Sequence, residues 1–255
     1  MKGNIGTPFF SGFPVDPALD WQMSRAEKYC LIDLMNHLKP EVAIEIGTYK
    51  GGSLQVIQHF SKEVYSIDIS PAPKKFLEPK FPQVHFIVGE GDKLVHDLFA
   101  RIDQEGKKLD FILVDGDHTC AGVQRDLHAI LSYPHKSPFV MLLHDSFNPQ
   151  CRKGISSIPY NRYPAVEYVE LDYITGSFWH NDTYREMWGG LAMIRVNPAN
   201  HQTPAIHASQ GNLYRRALWG STHLIKDRLR FLGPWKKALY RMLGKPYRTD
   251  IYDAF

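Results

Sequence analysis

Between residues 42 and 143 the chain repeats one pattern five times: a four- or five-residue, mostly apolar run, then a segment long enough for a helix. The runs are Val42–Ile46, Val64–Ile67, Val84–Val88, Phe111–Val114 and Phe139–Leu143. Short apolar runs without polar alternation mark strands buried on both faces, and those belong to parallel sheets. Parallel neighbours need crossover connections, and segments at about 51–60, 92–104 and 120–132 have the length and amphipathic spacing to supply them. Ahead of the first strand, Ser24-Arg-Ala-Glu27 forms a capping box. It opens a helix whose apolar face is Cys30, Leu31, Leu34, Met35 and Leu38, with Pro40 as its stop. The expected fold class is α/β, a mostly parallel sheet with helices on both faces.

Outside this core the texture changes. Residues 1–23 form an arm, rich in Gly and Pro over 1–20, whose Phe9, Phe10 and Phe13 need an apolar surface to lie on. Val166–Leu171 and Leu191–Val196 are expected as two final strands, joined by a connection over 172–190 that carries Trp179, His180 and Trp188. Residues 24–198 then make the main domain. Residues 199–255 are an extension: a polar linker over 197–211, then a helical segment over 213–243 broken near Gly233-Pro234.

Charge separates the extension from the body. Residues 199–255 hold 10 Lys and Arg against 3 Asp and Glu, a local +7, while the chain as a whole is +3 and the rest is therefore −4. An acidic body does not suit nucleic-acid wrapping, whereas the basic, Trp-bearing extension suits a second subunit or a peripheral membrane contact. A composition of 44% hydrophobic and 22% charged residues excludes fibrous and disordered classes. Cys30, Cys120 and Cys151 have neither metal nor redox spacing, the first residues lack a signal-peptide core, and no long apolar run follows. A reducing, cytoplasmic setting is expected.

In an open parallel sheet, ligands bind beyond the carboxyl ends of the strands. The first strand ends in Glu45-Ile-Gly47-Thr-Tyr-Lys-Gly51-Gly52-Ser53, a glycine-rich turn into a helix. There Gly47 permits a tight turn, and Gly51 and Gly52 let backbone approach a ligand. The glycines do not have G-x-G-x-x-G spacing, which disfavours a dinucleotide pyrophosphate. The second strand ends in Asp68, placed to accept ribose hydroxyls. The third is followed by Gly89-Glu90-Gly91-Asp92, where a carboxylate either flanks an adenine or caps a helix. The fourth and fifth run into Asp115-Gly-Asp117-His118 and His144-Asp145-Ser146. Two acidic strand ends in one crevice repel each other, and a hard divalent cation such as Mg²⁺ relieves that repulsion. A Zn²⁺ site of His and Asp is the competing metal assignment. Asp117 is expected to cap the next helix.

Taken together, Glu45–Ser53, Tyr65-Ser-Ile-Asp68, Phe111–His118 and Leu143-His-Asp-Ser146 resemble the class I S-adenosylmethionine-dependent methyltransferases. They most resemble the branch containing macrocin O-methyltransferase, cephalosporin hydroxylase-like proteins and the metal-dependent catechol and caffeoyl-coenzyme A O-methyltransferases. The resemblance covers about residues 24–196. It implies a Rossmann-like seven-stranded sheet whose last strand, Leu191–Val196, is antiparallel. It also implies an S-adenosylmethionine site built from Glu45, Gly47, Thr48, Gly51, Ser53, Asp68, Gly91 and Asp92. Asp115 and Asp145 match metal ligands, and His118 matches the general base of the macrolide-sugar methyltransferases. Catechol-type enzymes place Asn after the strand-five Asp, where this chain has Ser146 as the third metal position. The resemblance thus implies divalent-metal-assisted O-methylation of a hydroxylated small molecule such as a sugar or polyphenol. Two rivals stand beside it, an NAD-dependent oxidoreductase on the same layout and a non-catalytic cofactor-binding interaction module.

Overall fold

The computed structural model describes residues 13, 15–180, 185–200, 202–227, 229 and 233–244. Helix α1 (Arg25–Leu38) leads into alternating strands and helices: β1 (Val42–Ile46), α2 (Leu54–Phe60), β2 (Glu63–Asp68), α3 (Pro71–Leu77), β3 (Val84–Val88) and α4 (Gly91–Gln104). Then follow β4 (Leu109–Val114), α5 (Cys120–Ser132), β5 (Phe139–His144), α6 (Pro149–Ser156) and β6 (Val166–Ile174). All five expected strands form, and β1 through β5 pair in parallel.

Two of the helices start where proline suggests a break. Ser70 and Asn148 cap α3 and α6 by accepting the N–H groups of Ala72 and Gln150, with Pro71 and Pro149 in the first helical position. A proline there loses no hydrogen bond, because the first N–H groups of a helix have no partner in the helix anyway.

Strand order in the main sheet is β10-β6-β9-β5-β4-β1-β2-β3. The expectation of an antiparallel Leu191–Val196 holds: β9 (Leu191–Val196) runs antiparallel to both β5 and β6, and it lies between them. The sheet has eight strands where seven were expected, because Ala205–His207 adds β10 in parallel to the outer edge of β6. That segment was read as polar linker; an edge strand of three exposed residues has no buried face to leave an apolar signature. The connection 172–190 contains its own antiparallel pair, β7 (Ser177–His180) and β8 (Arg185–Trp188). Beyond the sheet come α7 (Gly211–Gly220), α8 (His223–Lys226) and α9 (Gly233–Met242). The break expected near Gly233-Pro234 is there: α8 ends at Lys226 and Gly233 opens α9.

Each strand divides its side chains between two cores. Val42, Ile44 and Ile46 of β1, with Ile112 and Val114 of β4, pack under α4, α5 and α6 against Val95, Phe99, Leu127 and Ile155. Ala43, Phe111, Leu113 and Leu142 face the other way, against Leu31 and Met35 of α1 and Leu54 and Ile57 of α2. This two-sided burial is why the strands read as unbroken apolar runs. The arm closes the second core: Phe13 is buried against the rings of His59 and Phe60. Phe9 and Phe10 lie outside the described residues.

Strand β1 has β2 on one side and β4 on the other, so the winding reverses between β1 and β4. Loops after the two strands diverge there and leave a crevice at their carboxyl ends.

Candidate active site

The crevice is a cavity of about 670 Å³. Its walls carry Gly47, Thr48 and Ser53 from the turn after β1, Asp68 from the end of β2, Gly91 and Asp92 from the start of α4, and Asp115, His118 and His144 from beyond β4 and β5. Asp20 to Met23 of the arm form part of the rim. Residues distant in sequence meet here because every parallel strand delivers its carboxyl end to the same edge.

Gly47 is at φ +87°, and a Cβ there would stand 2.0 Å from the Asp115 carbonyl oxygen, so only glycine fits where this turn passes the end of β4. The other two glycines, of which Gly52 lines the cavity, also serve packing. A Cβ on Gly51 would strike Leu77, and one on Gly52 would strike the Trp21 backbone at 2.4 Å, so their smallness lets α3 and the arm pack closely. Glu45 stands back from the cavity. It is fully buried behind the turn and takes a hydrogen bond from the Ser53 hydroxyl at 2.5 Å; burial pushes its pKa well above the usual carboxylate range.

Asp68 ties the turn to β2. One carboxylate oxygen accepts the Thr48 N–H at 2.9 Å and the Tyr49 N–H at 3.3 Å, and the other accepts the Ser70 N–H at 2.8 Å. Asp92 sits in the first turn of α4 at 3.6 Å from Arg125. Asp117 accepts the Thr119 N–H at 2.8 Å and pairs with Arg125 at 3.2 Å, but the cap of α5 is Thr119, whose hydroxyl accepts the Gly122 N–H. The helix-cap role expected of Asp117 thus falls to the residue two positions on.

A residue away from the strand ends completes this wall. Asp126 of α5 is buried, with its carboxylate lodged between Gly91 and Gly116, 3.4 and 3.7 Å from where a Cβ on either would stand. Burial, with the charges of Asp92 and Asp117, pushes its pKa up to about 7, against the opposing charge of Arg125 and a hydrogen bond from the Asp92 backbone. The helical face that points Asp126 inward was the available signal: it lies three residues after Val123 and four before Ile130, both buried.

At the other end of the cavity Asp115, His118, His144 and Asp145 converge, and one ligand atom from each lies within 4.8 Å of all the others. His118 Nε2 is 2.9 Å from Asp145 Oδ2 and 3.4 Å from Asp115 Oδ1. His144 Nδ1 is 2.9 Å from Asp115 Oδ1, and its Nε2 is 3.1 Å from Glu27 Oε1. Asp145 has φ +56°, a left-handed conformation that non-glycine residues adopt at a cost of about 1–3 kcal/mol. The strain is held by the Gly189 N–H, which donates to Asp145 Oδ1 at 2.5 Å. Glu27 is both the capping-box residue of α1 and a buried anchor here, accepting the Ser24 and Gly190 N–H groups.

Electrostatics follow from these contacts. Burial opposes charge on His118, but hydrogen bonds and charge from Asp115 and Asp145 outweigh it and push its pKa up to about 10. His144 is likewise raised, against its own burial, by Asp115, Asp145 and Glu27. Asp115 and Asp145 are lowered in turn, the two histidines overcoming the burial penalty. The carboxylate repulsion expected from sequence is therefore met by two imidazoliums within the protein itself.

The sequence reading placed Ser146 third beside the two aspartates. Ser146 is buried with its N–H on the Gly190 carbonyl at 3.3 Å, and it is His144 that stands beside the Asp115–Asp145 pair. Glu27 and His144 were missed as partners because 117 positions separate them in the chain. As a donor set, two imidazole nitrogens and two carboxylates fit a borderline ion such as Zn²⁺ or Mn²⁺ and are a poorer match to Mg²⁺, which takes oxygen ligands.

A reversed parallel sheet with a nucleotide-sized, acid-lined crevice at its switch point defines a nucleotide- or cofactor-binding α/β domain. Over residues 44–146 the chain matches a family model described as a methyltransferase domain. This stretch, from β1 to just past β5, is therefore similar to methyltransferase domains. The chain is similar to the O-methyltransferase from Bacillus cereus in complex with SAH, at 17% identity over 71% of this chain and 84% of that chain, TM-score 0.45. It is also similar to the O-methyltransferase TomG from Streptomyces achromogenes in complex with SAM, at 14% over 71% and 83%, TM-score 0.48. A third likeness is to the SAH-bound methyltransferase PaMTH1 from Podospora anserina, at 17% over 68% and 79%, TM-score 0.47. No curated protein matches the sequence.

Proposed function

We propose that this chain methylates a hydroxyl oxygen of a small hydroxylated acceptor, such as a sugar or polyphenol, within the body formed by residues 24–198. The observation that carries the proposal is the shared cavity. The turn after β1, Asp68 and the start of α4 line one end, and Asp115, His118 and His144 line the other, in a chain that matches a methyltransferase domain.

Gly47 and Thr48 would hold the amino-acid part of S-adenosylmethionine, Asp68 the ribose, and Gly91 and Asp92 the adenine. Asp126 belongs on the adenine wall: a carboxyl that keeps its proton can donate to one ring atom and accept from the exocyclic amine. Bound S-adenosylmethionine supplies an electrophilic methyl group, and its transfer breaks a carbon–sulfur bond and leaves a neutral thioether. The cavity walls hold acceptor and donor in line, which converts a bimolecular encounter into a step within one complex.

His118 is the proposed destination of the acceptor's proton. At neutral pH its partners keep it protonated, so it acts as a base once Asp115 and Asp145 are engaged elsewhere. Asp115, Asp145 and His144, the last after losing its proton, would hold a divalent ion, which supplies acidification of a bound hydroxyl. Such engagement would also lower the pKa of His118 by removing the charges that raise it. Cys30, Cys120 and Cys151 are free thiols, which supports a reducing, cytoplasmic setting.

The test is calorimetric titration of S-adenosylmethionine into the full chain with and without a divalent ion, beside Asp68→Ala. Binding that the variant loses supports the site and licenses a screen of hydroxylated acceptors with Asp115, His118 and Asp145 variants. A folded wild-type protein that binds no S-adenosylmethionine under either condition refutes the proposal.

A further inference from the structure

The basic extension leaves its large apolar side chains in solvent. Helix α7 is anchored on one side only: Tyr214 packs its ring against Phe147 at 5.6 Å, with the Arg152 guanidinium 4.8 Å from its centroid. The opposite side carries Leu213, Arg215, Arg216 and Trp219, all exposed, with Trp219 at 80%. Helix α8 hangs from the β7–β8 hairpin, since Thr222 N–H donates to the Arg185 carbonyl at 2.8 Å and the Met187 N–H donates to His223 Nε2 at 3.2 Å. Its Ile225 is exposed, and on the hairpin itself exposed Phe178 lies beside Gly220. In α9, Trp235, Leu239 and Met242 recur at helical spacing, and Trp235 and Met242 are 77% and 85% exposed.

Among the described residues, then, nothing covers two tryptophans and several aliphatic side chains, in a segment whose sequence charge is +7. We propose that α7, α8 and α9 dock on an anionic phospholipid bilayer. Indole rings and aliphatic side chains would enter the headgroup boundary, and Arg215, Arg216 and Arg241, all exposed, would meet lipid phosphates. No helix among the described residues is long and apolar enough to cross a membrane, so the contact is peripheral.

Charge selects this occupant over a second copy of the chain. A two-fold symmetric dimer through this face would set one +7 segment against another, whereas an anionic leaflet opposes it with the complementary sign. The surface is also tied to the crevice. The Trp188 ring lies 6.3 Å from that of His118 on one side and 6.3 Å from that of His223 on the other. Docking through α7 and α8 brings to the lipid the hairpin whose Trp188 adjoins His118.

The experiment is co-sedimentation of the full chain with vesicles of phosphatidylcholine alone and of an equimolar phosphatidylcholine–phosphatidylglycerol mixture, at low and high salt. The expected result is capture by the anionic vesicles, little by the neutral ones, and release by salt. Arg215→Gln with Arg216→Gln lowers partitioning about fivefold per charge. Trp219→Ala with Trp235→Ala abolishes capture while far-ultraviolet circular dichroism stays unchanged. Wild-type protein left in the supernatant with anionic vesicles at low salt overturns the proposal. So does sedimentation equilibrium showing a stable dimer that the tryptophan variant dissolves. Neither result depends on which reaction the crevice catalyses.

Discussion

Asp126→Asn tests the electrostatics of the cavity wall. The carboxyl is buried between Gly91 and Gly116 and faced by Asp92 of α4, Asp117 of the β4–α5 loop and Arg125 of its own helix. Its pKa rises from 3.8 to about 7 on folding. The folded state thus holds a proton that the unfolded chain releases. Stability from this group is complete below the unfolded value, falls as pH rises toward 7, and levels off above it. The slope is about 1.4 kcal/mol per pH unit, so ionising Asp126 destabilises the wild-type protein by at most about 4 kcal/mol. Asparagine keeps the shape, the acceptor oxygen and a donor, and it does not ionise. Urea unfolding of both proteins across the pH range measures the difference, and the titration of every other group largely cancels. The stability advantage of the variant is expected to widen by roughly 2–3 kcal/mol between about pH 5 and about pH 8. An advantage that does not change with pH would mean that the carboxylate is ionised and held by the N-terminus of α4, and the argument for a neutral acid on the cavity wall would fail.

Gly47→Ala places a methyl group 2.0 Å from the Asp115 carbonyl at a positive φ, so its cost exceeds the roughly 1–3 kcal/mol of left-handed strain alone. Thermal unfolding and S-adenosylmethionine binding should both deteriorate, and retention of both would disprove the close approach of these two strand ends. Glu27→Gln removes one of three carboxylates facing His144 and should destabilise the fold by about 1–3 kcal/mol in urea, the usual cost of weakening a buried charged hydrogen bond; no measurable change would show that the pair is not formed. Calorimetry of the ion-free protein should show Zn²⁺ or Mn²⁺ binding more tightly than Mg²⁺, with Asp145→Asn weakening it at least tenfold. Tighter binding of Mg²⁺ would contradict the mixed nitrogen and oxygen donor set.

Much of the site was legible because strand ends are. Burial on both faces makes each strand an apolar run, and each run stops where its chain leaves the sheet. Asp68, Asp115 and Asp145 could therefore be picked out as crevice residues from their positions alone, and all three stand at the carboxyl edge. The glycine turn was legible for the same reason, and Gly47 and Gly52 both line the cavity. What Gly51 and Gly52 accommodate is Leu77 and Trp21, neither of which the turn's own sequence specifies.

The contacts that escaped notice are made across the fold. Asp126 had a helical face as its signal, away from the strand ends. His144 and Glu27 meet because β9 is inserted between β5 and β6, which brings Gly189 and Gly190 against Asp145 and Glu27 at the top of α1. Local periodicity alone thus determined that this chain builds a parallel α/β sheet with acids at its carboxyl edge, since hydrophobic burial acts residue by residue along a strand. Which acids keep their protons, and which histidines answer the others, was decided only by tertiary structure, because the energy of a charge depends on neighbours a few ångströms away that the order of the chain does not reveal.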